Sequence, residues 1–442
     1  MSSGSPYLLP LAANAMVCIV GIGLAIAAML RARRLLLLPL SLLVFLVTVG
    51  LTQGLPLLLP VAVFPTEPVV YARAALCDSI LVGVASLPLI VLASVGRRAL
   101  GDVPFGVPAW LPFGLTAYAA AALAYMVVRN PGIVSLSTAI YRADSYYTYI
   151  EARNALGDYL NGRTASGQGL VNLAFAFCGP TALILLPHVS ALGARVRRLL
   201  MFLVWILMLA PALLGGSRME LTFVIFYPLA LLLLRRADVR SLMARLRLVW
   251  RKAVIAVAIV GGAVGVFQFA FQSTTLVAAG GFLARVFVSP GGVSDGYYLT
   301  FPDPFAFRGV LGIFMMPVPS DVVDFSMVSI AGTGLDSHAN GSFLATAYSG
   351  AGYWGALAAS VVLVAGAVLV DLLLLRLPRR LGGLLTFANI FAIVNIVSIP
   401  FLICVVTYGY IIGPLGILMV LAAARQLRTE PSVDPSVSPV PI

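Results

Sequence analysis

The chain has 442 residues, of which 61% are hydrophobic and only 10% are charged. A soluble domain would have about a quarter of its residues charged, so this composition excludes a soluble globular protein and indicates a membrane protein. The 28 Lys and Arg residues outweigh the 16 Asp and Glu residues. Because the basic residues lie between apolar stretches, they indicate orientation in a membrane and not binding to nucleic acid.

Apolar stretches recur along the whole chain and predict an all-α polytopic membrane protein. A transmembrane helix needs about 20 apolar residues, and the sequence holds about 11 such stretches, within a range of 10–13. The first stretch is too long for a signal peptide, so we interpret it as a retained span. The predicted spans are residues 8–30, 35–63, 74–95, 107–128, 168–192, 199–214, 219–234, 253–271, 342–372, 382–400 and 401–423.

Clusters of basic residues follow the odd-numbered predicted spans and predict the orientation of the chain. Lys and Arg are enriched on the cytoplasmic side of a membrane. The N-terminus is therefore predicted to lie outside and the C-terminus in the cytoplasm. The clusters lie at residues 31–34, 97–98, 195–198, 235–252, 376–380 and 425–428.

Two long segments fall on the predicted outer side, and we expect both to be ordered. They are rich in aromatic and charged residues and lack the Ser, Gln and Lys bias of disordered chains. The first is predicted to hold a short surface helix, because Tyr149, Ala152, Leu156 and Tyr159 recur at helical spacing.

The predicted organisation alternates groups of spans with these two outer segments. Residues 235–252 combine an apolar stripe with basic residues, which predicts an amphipathic helix on the inner leaflet. The predicted units are 1–128 (N-terminal spans), 129–167 (first outer segment), 168–271 (central spans with the basic helix), 272–341 (second outer segment), 342–423 (C-terminal spans) and 424–442 (a disordered cytoplasmic tail).

Several kinds of chemistry are not predicted by the sequence. Lys252 is the only lysine and no glycine-rich loop precedes it, so there is no P-loop for ATP. The only histidines, His188 and His338, are predicted near opposite faces of the membrane, which argues against a metal site built from protein ligands. The four cysteines lie in apolar stretches and are interpreted as core residues. No cofactor is predicted.

Ionisable groups on the predicted outer side are the candidates for function. Arg218 follows Gly215-Gly216-Ser217 in a tight turn, and its guanidinium matches phosphate or pyrophosphate oxygens. Arg285 lies in the second outer segment, and Asp336 and His338 precede the ninth predicted span. Arginine is disfavoured on the outer face, so this set indicates recognition of an anion. Aromatic rings stack on sugars, and the candidate sugar-binding tyrosines are Tyr146, Tyr147, Tyr149, Tyr297 and Tyr298.

Three motifs between about residues 200 and 370 carry a family resemblance. They are Gly216-Ser217-Arg218; the stretch from Arg285 to Pro290 followed by Tyr297-Tyr298; and His338-Ala339-Asn340 with Phe343, Leu344, Gly350 and Gly352. In these motifs the chain resembles the bacterial O-antigen polymerases, also called oligosaccharide repeat unit polymerases, and the related O-antigen ligases.

The resemblance implies a metal-independent glycosyltransferase with a fold like that of the glycosyltransferase C class. It would work at the periplasmic face of the inner membrane on glycans linked to undecaprenyl pyrophosphate, as both donor and acceptor. By similarity, Arg218 and Arg285 would bind the pyrophosphate, His338 or Asp336 would act as the base, and Asn340 would contact sugar. A chain-length regulator and a flippase are the implied protein partners.

Two alternatives stay open at this point. The ligases also carry a His-x-Asn motif, so the acceptor could instead be lipid A core. A transporter or flippase of lipid-linked sugars would carry ionisable groups at mid-membrane or broken helices. Asp78 and Gln268 are the best candidates for such groups, and their scarcity favours chemistry at the outer surface.

Overall fold

The computed structural model describes fourteen stretches of the chain. They are residues 8–53, 67–96, 107–142, 148, 151–152, 155–156, 159, 168–214, 224–225, 227–228, 231, 289–301, 341–397 and 401–429. These residues are almost entirely helical, and no strand occurs among them.

Fourteen α-helices lie in the described stretches. We label them α1 (Leu8–Ala32), α2 (Leu37–Thr48), α3 (Pro68–Gly96), α4 (Trp110–Arg129), α5 (Ile133–Arg142), α6 (Gln168–Leu173), α7 (Gly179–Leu185), α8 (Ala194–Leu214), α9 (Ser289–Thr300), α10 (Phe343–Leu374), α11 (Arg379–Ala388), α12 (Ile390–Asn395), α13 (Phe401–Thr407) and α14 (Ile412–Thr429).

Seven helical stretches in the described part of the chain are long and apolar enough to cross a membrane. Each coincides with one of the predicted spans. The seven are Leu8–Ala32, Pro68–Gly96, Trp110–Arg129, Gly169–His188, Ala194–Leu214, Phe343–Leu374 and Phe401–Ala423.

Large apolar side chains cover the outside of these helices. Leu9, Leu87 and Val128 are 81%, 68% and 82% exposed. So large an apolar surface is unfavourable in water and suits contact with lipid chains.

Two predicted spans are interrupted where the local sequence disfavours a continuous α-helix. In its described part, residues 35–53, the second predicted span forms α2 and then tightens into a 3-10 turn, Gly50–Thr52. Predicted span 168–192 contains a π-helical turn, Ala174–Cys178, between α6 and α7. Pro180 follows this turn; it lacks an N–H, and its ring would clash with the carbonyl four residues earlier, which explains the widened turn.

The predicted C-terminal spans are also broken. Helix α10 is kinked at Ala351 and Gly352, where Gly352 has φ +59° and ψ −143°. Predicted span 382–400 is divided into α11 and α12, and predicted span 401–423 into α13 and α14 around Gly409 at φ +72°. Helix α14 continues to Thr429, so the first residues of the predicted tail are helical.

The relative directions of four central helices follow from their contacts. Gly21 of α1 lies against Leu46 and Val82, and Gly96 at the end of α3 lies against Ala32 at the end of α1. Helices α1 and α3 therefore run parallel, with α2 antiparallel to both. Small residues at these contacts let the backbones approach closely, as is common between membrane helices.

Helix α10 runs in the same direction as α1 and α3. Its first residue, Phe343, packs on Phe45 near the end of α2, with ring centroids 5.2 Å apart. Near its end, Asp371 accepts hydrogen bonds from the backbone N–H groups of Leu37 and Leu38 at the start of α2. We call the end of the bundle that holds Asp371 the Asp371 end, and the opposite end the α9 end.

The first outer segment contributes to a smaller cluster beside α4. Helix α5 occupies its first part, and Leu156 is buried against Met126, Ile133 and Ile140. Tyr149 of the predicted surface helix lies outside the described residues, as do most of residues 215–288.

Candidate functional site

Helix α9 and the start of α10 pack directly on each other, although residues 302–340 separate them in the sequence. The N–H of Ser342 donates a hydrogen bond to the hydroxyl of Ser294 (3.3 Å). The ring of Tyr297 covers Gly341 so closely that a Cβ atom there would lie 2.7 Å from a ring carbon. Ser342 also caps α10, because its hydroxyl accepts a hydrogen bond from the N–H of Ala345 (3.2 Å). Parts of two sequence motifs thus form one packed unit.

Helix α9 is held by burial and not by intrinsic helix propensity. Its sequence contains three glycines within twelve residues, and glycine is a poor helix former. Residues 291–298 are all buried. Gly291 allows a close approach to the 3-10 turn, because a Cβ atom there would lie 2.6 Å from the hydroxyl of Thr52 and 3.1 Å from the backbone N of Gln53.

Arg73 of α3 anchors the C-terminal end of α9. Its guanidinium donates hydrogen bonds to the carbonyl oxygens of Tyr298 (2.7 Å) and Phe301 (3.0 Å). Helix C-termini leave carbonyl groups without intrahelical partners and carry a partial negative charge, so an arginine stabilises this end. Arg73 is one of the predicted outer arginines, but its sequence context did not single it out.

Tyr297 and Tyr298 are packing residues in the structure. They are 1% and 0% exposed, and the ring of Tyr298 meets that of Tyr348 edge-on at 5.2 Å. Burial raises the pKa of Tyr297 to about 12, which the backbone of Gly341 offsets in part. Burial also raises the pKa of Tyr298 well above its ordinary value. Neither ring has a free face here, so sugar stacking on them stays a prediction that requires a conformational change.

More accessible aromatic rings lie just after the break in α10. Tyr353 is 39% and Trp354 78% exposed. Tyr353 contacts Tyr348, with ring centroids 5.2 Å apart, and both tyrosines lie within electrostatic range of Arg73. Both residues begin the part of α10 that follows the break. The sequence alone did not single out these two residues as candidates.

A polar cluster lies inside the bundle between α1, the 3-10 turn and α3. Asp78 is fully buried, and the thiol of Cys18 lies 3.8 Å from its Oδ2 atom. The side-chain amide of Asn14 donates hydrogen bonds to the carbonyl of Gly50 and to the Oε1 of Gln53, both at 2.9 Å. Asp78 is one of the two mid-membrane candidates singled out in the sequence.

Most of the predicted site residues lie outside the described residues, and their roles stay predictions. They are the pyrophosphate candidates Arg218 and Arg285, the base candidates Asp336 and His338, and the sugar candidates Tyr146, Tyr147, Tyr149 and Asn340. The second mid-membrane candidate, Gln268, is likewise outside. Within the described stretches, no group of three or more His, Cys, Asp or Glu side chains is arranged to hold a metal ion.

The helices and their apolar outer surface define the chain as an all-α, multi-pass membrane protein. No protein-family model, curated protein or solved structure matches it. Any narrower function therefore depends on the sequence motifs and on the contacts that surround them.

Proposed function

We propose that the chain is an inner-membrane glycosyltransferase that polymerises oligosaccharide repeat units into O-antigen or a related surface polysaccharide. Its substrates would be glycans linked to undecaprenyl pyrophosphate, used at the periplasmic face as donor and acceptor. The proposal is supported by the three motifs that resemble the O-antigen polymerases and by the multi-pass helical architecture.

The observation that carries the proposal is the packing of α9 on the start of α10. Arg285 precedes α9 by four residues in the sequence, and His338 precedes Gly341 by three. The contacts Ser294–Ser342 and Tyr297–Gly341 bring together the segments that follow these two candidates. The reacting groups of a shared site must be held in fixed relative positions, and the packing of the two segments that follow these candidates supports such a site.

The proposed reaction needs no metal ion. A hydroxyl oxygen of the acceptor attacks the anomeric carbon of the donor, and the bond from that carbon to pyrophosphate oxygen breaks. Arg218 and Arg285 would stabilise the negative charge that develops on the leaving pyrophosphate. His338, with Asp336 as the rival, would accept the hydroxyl proton, since an imidazole has an ordinary pKa of about 6.5.

The direct test compares arginine variants by the glycan ladder that cells produce. We expect Arg218→Ala and Arg285→Ala to abolish long glycans and leave single repeat units. Arg142→Ala is the matched control, because Arg142 is an exposed arginine of the first outer segment and should leave the ladder intact. Long ladders from the first two variants at normal protein levels would refute the proposal.

A transporter or flippase of lipid-linked sugars is the second candidate. It is favoured by Asp78, a fully buried carboxyl within a span, and by the break in α10 at Gly352, since transporters use intramembrane charges and discontinuous helices. Flux of a lipid-linked repeat unit across sealed vesicles, without glycan lengthening, would select this candidate.

A further inference from the structure

Asp78 occupies a position where a charged carboxyl group is energetically unfavourable. It is the eleventh of 29 residues in α3, which places it ~15 Å along the axis from the start of the helix. A helix of this length exceeds the hydrocarbon thickness of about 30 Å, so Asp78 lies within the apolar layer. Its exposure is 0%. Intramembrane ionisable residues are rare and are usually functional.

The groups that face Asp78 do not balance a negative charge. In the described part of the chain, the titratable side chains around it are Cys18 of α1, Cys77 of α3 and Tyr298 of α9. The 3-10 turn places Gly50, which has no side chain to carry a charge, beside Asp78. Described residues give Oδ1 no hydrogen bond, and the thiol near Oδ2 is a weak donor. A bare carboxylate here would be poorly compensated.

The thiol of Cys18 carries one hydrogen atom but lies near two acceptors. The sulfur of Cys18 lies 3.8 Å from Oδ2 of Asp78 and 3.9 Å from Oδ1 of Asn14. A thiol can donate to only one of them at a time. A proton on the carboxyl group of Asp78 gives the cluster a second hydrogen-bond donor and removes the negative charge of Asp78.

The neighbouring backbone gives a second, independent indication of a polar site. Helix α2 changes to a 3-10 turn at the level of Asp78, and a Cβ atom on Gly50 would lie 3.1 Å from Oδ2. Interrupted helices beside a buried polar group are common at ion-coupling sites. Gln53 ends the turn, and its buried Nε2 has no hydrogen-bond partner among the described residues.

The same contacts favour a proton over a metal cation. A hard cation requires several oxygen ligands, whereas Oδ2 is contacted by the thiol of Cys18 and Gly50 closes off the space beside it. A proton needs neither a cavity nor a ligand shell.

We propose that Asp78 is a proton-exchange site within the membrane, flanked by Cys18, Asn14 and Gln53. A hydronium ion transfers its proton to one carboxylate oxygen and becomes water, and the charge of the side chain changes from −1 to 0. No other group of the protein changes its charge. This proposal is independent of which of the two candidate functions the chain performs.

The test is pH-difference infrared spectroscopy of the full chain in lipid nanodiscs. We expect acidification to produce the carbonyl band of a protonated carboxyl group in the wild type, and the Asp78 component of that band to be lost in Asp78→Asn. Asp371→Asn is the matched control, because Asp371 is equally buried but accepts two backbone hydrogen bonds; this variant should retain the component. Coincident wild-type and Asp78→Asn spectra would overturn the proposal. Loss of the component on adding Na⁺ at constant pH would also overturn it, in favour of a sodium site.

A second pair of variants keeps the test valid if Asp78→Asn does not fold. Cys18→Ser replaces a thiol donor with a hydroxyl, which is a stronger donor, so it should shift the band and its pH midpoint. Cys404→Ser should shift neither, because the Cys404 thiol donates to the carbonyl of Ala392 on another helix. An unshifted Cys18→Ser spectrum contradicts the proposal.

Discussion

Gly352 shows how one residue shapes the α9 end of the bundle. Its backbone angles, φ +59° and ψ −143°, belong to a region that is essentially restricted to glycine. No atom lies within 4 Å of the position of an added Cβ. Glycine is therefore required by the backbone conformation and not by lack of space.

Replacing Gly352 should destabilise the protein, because other residues adopt this backbone conformation only with strain. We expect Gly352→Ala to lower the free energy of unfolding by about 1–3 kcal/mol, measured by thermal unfolding in detergent. Gly23→Ala is the control, since Gly23 is also free of neighbours but lies inside the regular helix α1, where alanine is favoured by up to about 1 kcal/mol. Equal effects of the two substitutions would contradict the conclusion that the backbone conformation at residue 352 requires glycine.

At the scale of elements, α2 and α10 cap each other at the Asp371 end. The carboxylate of Asp371 accepts from the first N–H groups of α2, including Leu38 at 2.9 Å. The buried guanidinium of Arg34 donates to the carbonyls of Leu374 (3.2 Å) and Leu377 (3.4 Å) at the end of α10. Each charge meets the helix end of opposite sign, and each supplies hydrogen-bond partners to two terminal backbone groups.

Removing one side of this reciprocal capping should destabilise the bundle. Arg34→Leu leaves buried carbonyls without a donor, which costs about 1–3 kcal/mol for an unsatisfied group. Thermal unfolding should therefore begin at a lower temperature. The exposed Arg31 is the control, and Arg31→Leu should leave the transition nearly unchanged; a similar loss in both variants would argue against specific capping.

The contact between α9 and α10 can be tested through Gly341. A Cβ atom there would lie 2.7 Å from the buried ring of Tyr297, so Gly341→Ala must displace α9 or the start of α10. We expect loss of long glycans together with reduced thermal stability. Gly114→Ala, at a site with open space, should affect neither. Wild-type ladders from Gly341→Ala would show that this packing is not needed for activity.

At the scale of the whole molecule, the helix directions agree with the alternation that the charges predict. Helices α1, α3 and α10 correspond to odd-numbered predicted spans and run parallel, and α2 is antiparallel to them. Which end faces the cytoplasm stays a prediction of the basic clusters. Reporter fusions test it: alkaline phosphatase should be active when fused within 129–167 and inactive when fused after Arg98. The reverse pattern of activities would show that the orientation is the opposite of the predicted one.

The sequence predicted the helical membrane class and the position of seven described spans, because hydropathy depends on composition alone. It did not predict the breaks at Gly50 and Gly352, since a glycine in an apolar stretch does not change hydropathy appreciably. It named Tyr297 as a candidate for sugar binding but did not predict that this ring is buried over Gly341. Such contacts between distant segments cannot be read from local patterns.

Synthesis in vitro tests directly whether the chain lengthens lipid-linked glycans. The purified chain in detergent, with no sealed compartment, is incubated with repeat units linked to undecaprenyl pyrophosphate, and the products are separated by length. The proposal predicts products of two or more repeat units, lost in Arg285→Ala and retained in Arg142→Ala. Repeat units that stay at their original length with the wild-type protein would contradict it.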